Sequence, residues 1–483
     1  MVLKSRYILV FLVLFLSISC TEKGNGDLGT FQPEQGAESS SVEIYGWSPE
    51  VEQSSLYSVL AKGKEVKVIP TNSPHVALFG AGEKVQVNVR FKGEVPSCVT
   101  VRPVSMKYEY TYSNGELSIE LGPYDKVSVE PDDDTAAPLF IFVNPLEKET
   151  LEKARQDDGV LVFSGGRIYD YPNDLSAEGF SGIYIEGGAV IRGSFVHRAA
   201  SEGLTVSGCG IIDARCNASR TVNGFNLIGA KGFEIRDITV FNNTNWTFRI
   251  MNCEDFVVDN VKAVGEMPYN DENDENDAIH LVACRNGEVT RSFGYSWDDA
   301  FNVGTDAPTF TGDTFNILVE DCIGWNTMPG NTFTIGWPVT GTAHDIVFRD
   351  CVSIHSGTRN GANDRGAIGI HNSGNGTIRD VTLKNIHIED PQEYGISIYL
   401  GFRGSVKEYD VGEIKNITLE DIYMHKTPPM NSRIRGYDAE HPVSGVTFRN
   451  IYLGDHKVES LDEDGFLSQE YPSDHYLNVD FEN

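Results

Sequence analysis

The last two thirds of the chain repeats one short pattern of apolar and polar residues. From about residue 158, the pattern is an apolar residue, any residue, a second apolar residue and any residue. An Asp, Asn or Ser follows, and then usually another apolar residue. The pattern recurs at intervals of 23 to 36 residues, as FEIRDI (233–238), FVVDNV (256–261), EVTRSF (288–293), ILVEDC (317–322), IVFRDC (346–351), VTLKNI (381–386), ITLEDI (417–422) and VTFRNI (446–451). Its polar position falls at Asp237, Asn260, Ser292, Asp321, Asp350, Asn385, Asp421 and Asn450. A strand phrase repeated at this spacing predicts stacked coils.

These coils predict a right-handed parallel β-helix over residues 158–483. The phrases are too far apart for tight hairpins and no helical pattern separates them, so each coil must supply strands to long parallel sheets. The recurring polar residue would fill a turn, where short polar side chains bond the local backbone. The uneven intervals predict loops of uneven length, and loops on a rigid scaffold often carry function.

A different pattern occupies residues 42–147. Short segments such as KVQVNVRF, GELSIELG and LFIFVNP alternate apolar and polar residues, and Gly, Pro, Asn and Asp separate them. Regular short strands with turn signals predict an antiparallel β-sandwich. Residues 148–157 form the connector, with about one helical turn. The predicted fold class is therefore all-β, a sandwich followed by a solenoid.

The first forty residues indicate export rather than folded structure. Residues 1–20 have a charged start, an apolar stretch too short to span a membrane, and the ending LSISC, which resembles a bacterial lipobox. Cys20 would then carry a lipid, and the polar segment 21–41 would be a flexible tether. This predicts a lipoprotein anchored in the outer membrane of a Gram-negative bacterium, facing the periplasm or the outside. The alternative is a plain secretory signal with an incidental cysteine.

Composition excludes some partners. The formal net charge is −31, from 70 acidic against 39 basic residues, which disfavours nucleic acid because phosphate binding needs clustered Lys and Arg. The seven cysteines after Cys20 are odd in number and widely spaced, so they indicate neither a disulfide framework nor a zinc site. Cys209 and Cys216 are near enough in sequence to pair. No metal or organic cofactor is expected.

Three carboxylates carry the candidate chemistry. Asp277 opens the strand phrase NDAIHLVAC, and Asp298 and Asp299 follow 21 and 22 residues later in YSWDDAFNVG. This is nearly one coil, so stacking about 4.8 Å apart would bring the three together. Such a group suits glycoside hydrolysis, which needs a protonated carboxyl and an ionised one. Neighbouring strand residues face opposite ways, so Asp298 and Asp299 share a cleft only where the strand ends or bends.

The acidic run Asp271–Glu275 just before Asp277 has several interpretations. It could be a solvated loop, a rim that touches the ligand, or a cation site, although it lacks the spacing of an EF-hand.

The order of these motifs resembles the polygalacturonase clan of β-helix glycoside hydrolases. Glu275-Asn276-Asp277 matches the Asn-Thr-Asp motif of glycoside hydrolase family 28, and Trp297-Asp298-Asp299 matches its Asp-Asp pair. The resemblance to family 49, the dextranase and isopullulanase family, is closer, because its members place a β-sandwich before the helix. The sandwich segment and the stretches GGAVIRGSF, VSGCGIIDA and FTIGWPV carry that resemblance over about residues 42 to 455.

The resemblance implies a pectin-lyase-like solenoid and an inverting hydrolase. Asp298 would be the general acid, Asp277 and Asp299 would activate water, and acid and base would lie about 6.5–9.5 Å apart. Two family features are missing: Gly330-Asn331-Thr332 stands at the Gly-His-Gly motif, and Gly369-Ile370-His371 at the Arg-Ile-Lys triplet that binds the substrate carboxylate. The substrate would then be a neutral α-linked glycan. A pectic uronide stays open, because basic residues on loops could replace the lost cations: Arg365, Arg403, Arg433 and Arg435.

Six further residues are candidates for contact with sugar. Trp297 and Trp337 could pack on pyranose rings or inside loops. His371 could bond a hydroxyl or serve a structural role, and His280 is expected to be structural. The remaining candidates, which would position substrate or water, are Asn276, Asn302 and Asn331. Two other classes stay open: a β-helix polysaccharide lyase, and a glycan-binding protein without catalysis.

Overall fold

The computed structural model describes residues 41–482 apart from a set of short segments. These segments are 199, 217–222, 243–244, 266–275, 308–309, 328–329, 358–364, 402–410, 462, 464–465 and 468–474. Cys20 and the tether lie outside the described residues. Within the described part, no helix has the length and apolar character needed to cross a membrane.

The chain begins with two facing β-sheets. Six strands form the first sheet: Val42–Glu43, Val68–Pro70, His75–Ala81, Val99–Arg102, Lys126–Pro131 and Leu139–Asn144. Five form the second: Tyr57–Ala61, Lys64–Val66, Val85–Phe91, Tyr110–Ser113 and Glu116–Leu121. Alternate side chains of both sheets meet in one apolar core, as the alternating pattern predicts. The pairings are antiparallel except between His75–Ala81 and Leu139–Asn144, which run parallel.

The connector is longer than one helical turn. The α-helix Lys148–Gln156 spans nine residues, with Leu151 and Ala154 buried. Two short 3₁₀ helices lie elsewhere, at Val104–Met106 and Ala214–Cys216.

The remaining described residues form a parallel β-helix, which confirms the predicted fold class. Its largest sheet has twenty strands: Val160–Phe163, Ile168–Asp170, Gly182–Ile185, Val190–Arg192, Thr205–Ser207, Ile211–Asp213, Glu234–Arg236, Thr239–Asn242, Glu254–Asp259, Lys262–Gly265, Arg285–Thr290, Phe293–Ser296, Thr314–Glu320, Ile323–Asn326, Thr342–His355, Thr377–Ile388, Glu413–Met424, Val443–Leu453, His456–Val458 and Tyr476–Glu482. Apart from one antiparallel strand, His456–Val458, its neighbours run parallel. In the earlier coils it follows two tracks that merge into longer strands from Thr342 onward.

A second parallel sheet, here called the site sheet, closes each coil. Its nine strands are Phe195–His197, Phe225–Ile228, Phe248–Met251, Ile279–Val282, Phe301–Gly304, Phe333–Ile335, Gly366–Asn372, Tyr394–Leu400 and Arg433–Arg435. Inward side chains of both sheets form a continuous apolar core. A short pair, Asp306–Ala307 with Phe310–Thr311, lies apart.

The recurring polar residue marks a corner of each coil. Seven of the eight predicted positions have left-handed backbone, with φ between 51° and 66°, and at the remaining one Arg291 takes this conformation in place of Ser292. Asp and Asn tolerate it because their short side chains hydrogen-bond nearby. The bonds differ from the prediction, however. Asn260 Nδ2 donates to Asp237 Oδ1 at 2.7 Å and Asn450 Nδ2 to Asp421 Oδ1 at 3.0 Å, so corners bond coil to coil.

The sandwich packs against one flank of the β-helix. Phe140 and Phe142 leave the sandwich core on the opposite face of their strand and contact the Phe293 ring at centroid distances of 5.0 and 4.9 Å. A buried ionic group joins the same two parts. Arg102 bonds Glu130 beside it and Glu389 of the β-helix, at 3.0 and 3.1 Å.

Candidate active site

The three predicted carboxylates meet on the site sheet. Asp277 lies just before the strand Ile279–Val282, and Asp298 and Asp299 lie just before the strand Phe301–Gly304 of the next coil. One oxygen of each carboxylate lies within 4.8 Å of an oxygen of the other two. Asp277 and Asp299 are 3% and 6% exposed, whereas Asp298 is half-buried, so one acid of the three reaches furthest toward solvent.

Backbone hydrogen bonds between the coils set this arrangement. The Asp298 amide donates to the Asn276 carbonyl at 3.1 Å, and the Ala278 amide donates to the Asp299 carbonyl at 2.9 Å. Asp298 and Asp299 sit in a turn rather than in a strand. Both side chains can therefore reach the same site, which meets the condition set by the sequence analysis.

Two asparagines hold Asp299. Asn331 donates to Asp299 Oδ1 through its backbone amide at 2.7 Å and its side chain at 3.1 Å. Asn302 Nδ2 donates to Asp299 Oδ2 at 2.8 Å. The Asn331 Oδ1 in turn accepts from the Gly366 amide at 2.9 Å. Three donors on one carboxylate fix its position and orientation. The sequence analysis expects Asn302 and Asn331 to contact substrate. In this structure both side chains donate hydrogen bonds to the Asp299 carboxylate.

His280 has a larger part in the site than expected. Its Nδ1 lies 2.5 Å from Asp277 Oδ2, and both side chains are buried. The Trp246 ring packs against the imidazole at 4.0 Å. The other oxygen, Asp277 Oδ1, accepts the Asp299 amide at 3.2 Å. The alternation of side chains along a strand does not predict this contact, because Asp277 lies before the strand that carries His280.

The backbone of Gly330 packs directly against the acid pair. A Cβ atom at this position would lie 2.6 Å from the Asp299 nitrogen and closer still to the carbonyl group of Asp298. Only glycine allows the Asn331 segment to lie this near the Asp298–Asp299 peptide. The sequence shows a glycine, Gly330, one coil after the acid pair. It does not show that the two backbones lie in contact, because that contact depends on the register between the coils.

Asn276 and Trp297 lie together beside the triad. Asn276 is fully buried; its side chain donates to the Asn245 carbonyl at 2.8 Å and accepts the Trp297 amide at 3.4 Å. These contacts give Asn276 a role in holding the turn. The Trp297 ring is half-buried.

His371 and Trp337 lie on the other side of the triad from His280. His371 is fully buried, its Nε2 is 3.1 Å from Ser397 Oγ, and its Nδ1 has no hydrogen-bond partner. Burial first, and then the positive charges of Arg365 and Arg433, hold the pKa of His371 well below its usual range. The Arg365 guanidinium lies over the half-buried Trp337 ring at 4.8 Å.

Two of the proposed substitute cations are buried at this end. Arg365 and Arg433 are 7% and 6% exposed, and Arg433 packs over the Tyr399 ring at 4.9 Å. Arg435 lies over the same ring at 5.6 Å. Arg403 and the run Asp271–Glu275 lie outside the described residues. Of the two cysteines that could pair, Cys209 is buried and Cys216 is exposed, and no disulfide joins them to each other.

The separation of the carboxylates corrects one expectation. An inverting pair was expected to lie about 6.5–9.5 Å apart, yet the nearest oxygens of all three groups lie within 4.8 Å. The strands that follow Asp277 and the Asp298–Asp299 pair are hydrogen-bonded neighbours, about 4.8 Å apart, which accounts for this short separation.

Comparison with known proteins agrees with this architecture. Residues 212–461 match the sequence model of glycosyl hydrolases family 28. Dex49A from Penicillium minioluteum aligns over 91% of this chain and 97% of its own, at 15% identity and a TM-score of 0.61. A polygalacturonase from Erwinia carotovora ssp. carotovora covers 70% of this chain and 94% of its own, at 15% identity and a TM-score of 0.45. A family 28 exopolygalacturonase from Yersinia enterocolitica covers 91% and 96%, at 11% identity and a TM-score of 0.36.

At these identities the solved structures inform the fold alone, and no curated protein matches the sequence. The predicted clan is confirmed. The family whose sequence model matches is 28, whereas the closer resemblance noted above was to family 49. Because that match covers just over half of the chain, the protein belongs to glycosyl hydrolases family 28 and is an O-glycosyl hydrolase that acts on a polysaccharide.

Proposed function

We propose that this enzyme hydrolyses an α-linked glycan with inversion, using Asp298 as general acid and Asp277 and Asp299 as the groups that activate water. The observation that carries the proposal is the set of donors around two of the three carboxylates. Both oxygens of Asp299 and both oxygens of Asp277 are hydrogen-bonded by protein groups. Donors of this kind hold the two carboxylates in the fixed orientation that positioning a water molecule requires.

The short separation of the carboxylates would by itself suit retention, so the proposal of inversion depends on the same donors. A retaining enzyme needs one carboxylate free to attack the sugar, and hydrogen bonds on both oxygens lower that reactivity. Two ionised groups close together instead offer a water molecule two acceptors. Hydrolysis also needs one protonated carboxyl group, and Asp298, which is more exposed than Asp277 and Asp299, is our choice for that proton.

We propose a neutral sugar at the cleavage site, because Gly369 and His371 replace the cations that would anchor a uronate. Family 49, which the sequence also resembles, would imply an α-glucan such as dextran. A pectic uronide is the second candidate, and a specific observation favours it: Arg365 and Arg433 lie buried beside His371. Family membership favours hydrolysis over the lyase and over a binding protein without catalysis.

Asp298→Asn tests the mechanism. The variant should lose turnover while its folding and glycan binding stay intact, because the amide keeps the shape but cannot donate the proton. Asp170→Asn, at an aspartate whose side chain is 73% exposed, is the matched control and should keep full activity. Full activity in Asp298→Asn would refute the assignment.

A substrate panel tests the specificity. Dextran, pullulan, polygalacturonate and sulfated galactans should be compared, with reducing ends measured and the first-formed anomer read by NMR. Inversion predicts a product anomer opposite to the substrate linkage. Retention of configuration would overturn the proposed roles of Asp277 and Asp299, and an unsaturated product absorbing in the ultraviolet would indicate a lyase.

We also propose that the protein is exported and lipid-anchored through Cys20, on the ground of the LSISC ending. Metabolic labelling with a radioactive fatty acid should mark the full chain and leave Cys20→Ala unlabelled. Equal labelling of both would rule out that anchor.

A further inference from the structure

Arg249 is a half-buried cation that has no counter-charge among the described residues. It lies on the strand Phe248–Met251 of the site sheet, and its guanidinium packs over the Trp246 ring at 5.2 Å. Among the described ion pairs it has none. Burial first, and then the positive charge of Arg198, lower the pKa of Arg249, and no acidic group acts in the opposite direction.

Polar atoms around Arg249 also have no partner. Its own Nε, the Trp246 Nε1 and the Asn226 Oδ1 are buried and form no hydrogen bond. Trp246 and Asn226 are 6% and 2% exposed. Buried polar groups are almost always satisfied, and a partly buried charge without a counter-ion is destabilising. The unpaired donors therefore indicate a ligand that completes them.

This group adjoins the triad. Arg249 pairs in register with Asn226 on one neighbouring strand and with His280 on the other. His280 contacts Asp277, and the Trp246 ring packs on His280. One strand step, about 4.8 Å, thus separates Arg249 from a residue that touches the catalytic carboxylate. A sugar here would be bound on the opposite side of the triad from His371 and Arg365.

We propose that Asn226, Trp246 and Arg249 form a subsite for a sugar that carries an anionic substituent, a carboxylate or a sulfate ester. The guanidinium Nε–H and the indole Nε1–H donate to that substituent, and Asn226 Oδ1 accepts from a sugar hydroxyl. Arg suits this task because its fixed fork matches either anion. The inference rests on the proposed function and deepens it, since it assigns a charge to one sugar of the bound glycan.

The position of this subsite separates it from the family triplet. That triplet falls at Gly369 to His371, on the other side of the triad, and has lost its cations. A neutral sugar on that side and a charged one beside Arg249 can therefore belong to the same glycan.

Binding should be measured in full-length Asp298→Asn, which holds glycan without turning it over. The probes are oligosaccharides of polygalacturonate for the carboxylate, of a sulfated galactan for the sulfate ester, and of dextran as the neutral reference. Adding Arg249→Gln should weaken binding of at least one anionic probe by about 10- to 100-fold, because a charge-assisted bond is lost. Binding of dextran should change less than about twofold on the same principle. Whichever anionic probe responds identifies the substituent.

Controls keep the test decisive. Arg155→Gln removes an exposed arginine of the connector helix, outside the site sheet, and should change no affinity. Trp246→Phe keeps the ring but removes the unpaired donor, so it should weaken the same probe and serves if Arg249→Gln fails to fold. Unchanged affinity for both anionic probes in Arg249→Gln, or no binding of either probe to Asp298→Asn, would overturn the subsite.

The outcome also distinguishes this inference from the proposed function. Arg249-dependent anion binding without hydrolysis of any glycan by the unaltered enzyme would defeat the function and leave the subsite. Hydrolysis that Arg249→Gln leaves unchanged on anionic and neutral substrates alike would do the reverse.

Discussion

Replacing Gly330 with alanine should impair catalysis with little effect on the fold. The new Cβ would lie 2.6 Å from the Asp299 nitrogen, whereas ordinary contacts of such atoms begin near 3.4 Å. The neighbours of Gly330 here are backbone atoms, which cannot rotate away as a side chain would. The Asp298–Asp299 peptide must therefore move by about 1 Å relative to Asn331, and a displacement of that size can lower a catalytic rate about 100-fold. This corresponds to about 2.7 kcal/mol in the activation free energy.

The assay is the initial rate of reducing-end release on the best substrate of the panel, measured beside thermal unfolding. Gly46→Ala is the control, because a Cβ at Gly46 would meet nothing within 4 Å. It should leave both measurements near those of the unaltered enzyme. We expect kcat to fall far more than the unfolding midpoint for Gly330→Ala. A kcat within about twofold of the unaltered enzyme would refute the argument that this contact sets the geometry of the acid pair.

Two further predictions concern stability and pH. Burial first, and then nearby Lys262, lower the pKa of Lys126 from 10.5 to about 7. Its folded pKa is below the unfolded one, so the penalty is full below about pH 7 and fades as pH rises toward 10.5. Lys126→Met should therefore raise the free energy of unfolding at pH 7, by about 4 kcal/mol at most because the lost hydrogen bond from Nζ to the Tyr124 carbonyl offsets part of the gain, and by less at pH 9. Urea unfolding measures both values, and equal gains at the two pH values would contradict the prediction. For His355, burial alone lowers the pKa, but hydrogen bonds to Asp390 and Glu130 raise it above its ordinary value. Protonated His355 therefore stabilises the folded protein. This stabilisation is full below about pH 6.5 and fades as pH rises through the folded pKa, so His355→Gln should lower the free energy of unfolding more at pH 5.5 than at pH 8.5. For each variant, the quantity compared is its free energy of unfolding minus that of the unaltered protein. This difference falls with rising pH for Lys126→Met and rises with pH for His355→Gln.

The repeat was accessible from sequence because one local rule governs every coil. A corner needs a residue that tolerates left-handed backbone, and Asp or Asn supplies it at Asp237, Asp350 and Asn450. The meeting of Asp277 with Asp298 and Asp299 followed from the coil length alone. Both predictions depended on spacing along the chain, which sequence displays directly.

The rest depended on side chains that meet across coils. The roles of Asn331 and His280 follow from a turn geometry and a register that no local pattern encodes. The sandwich gave a similar result: the strand Leu139–Asn144 is buried on both faces because the β-helix covers one of them. Sequence shows an apolar strand there but not its partner. A second set of residues with left-handed backbone, which lies outside the repeated phrase, consists of Asp255, Asn286 and Asn316.

The corners also bear on how such an enzyme can change over generations. Seven of the eight corners of the repeat return to a left-handed Asp or Asn, so residues gained or lost between these corners leave the strand register on either side intact. The uneven intervals between corners are the trace of that tolerance. Insertions can therefore reshape the rim around Asp277, Asp298 and Asp299 while the coil that aligns the three acids is inherited unchanged. New substrate preference and a constant reaction then become separable traits.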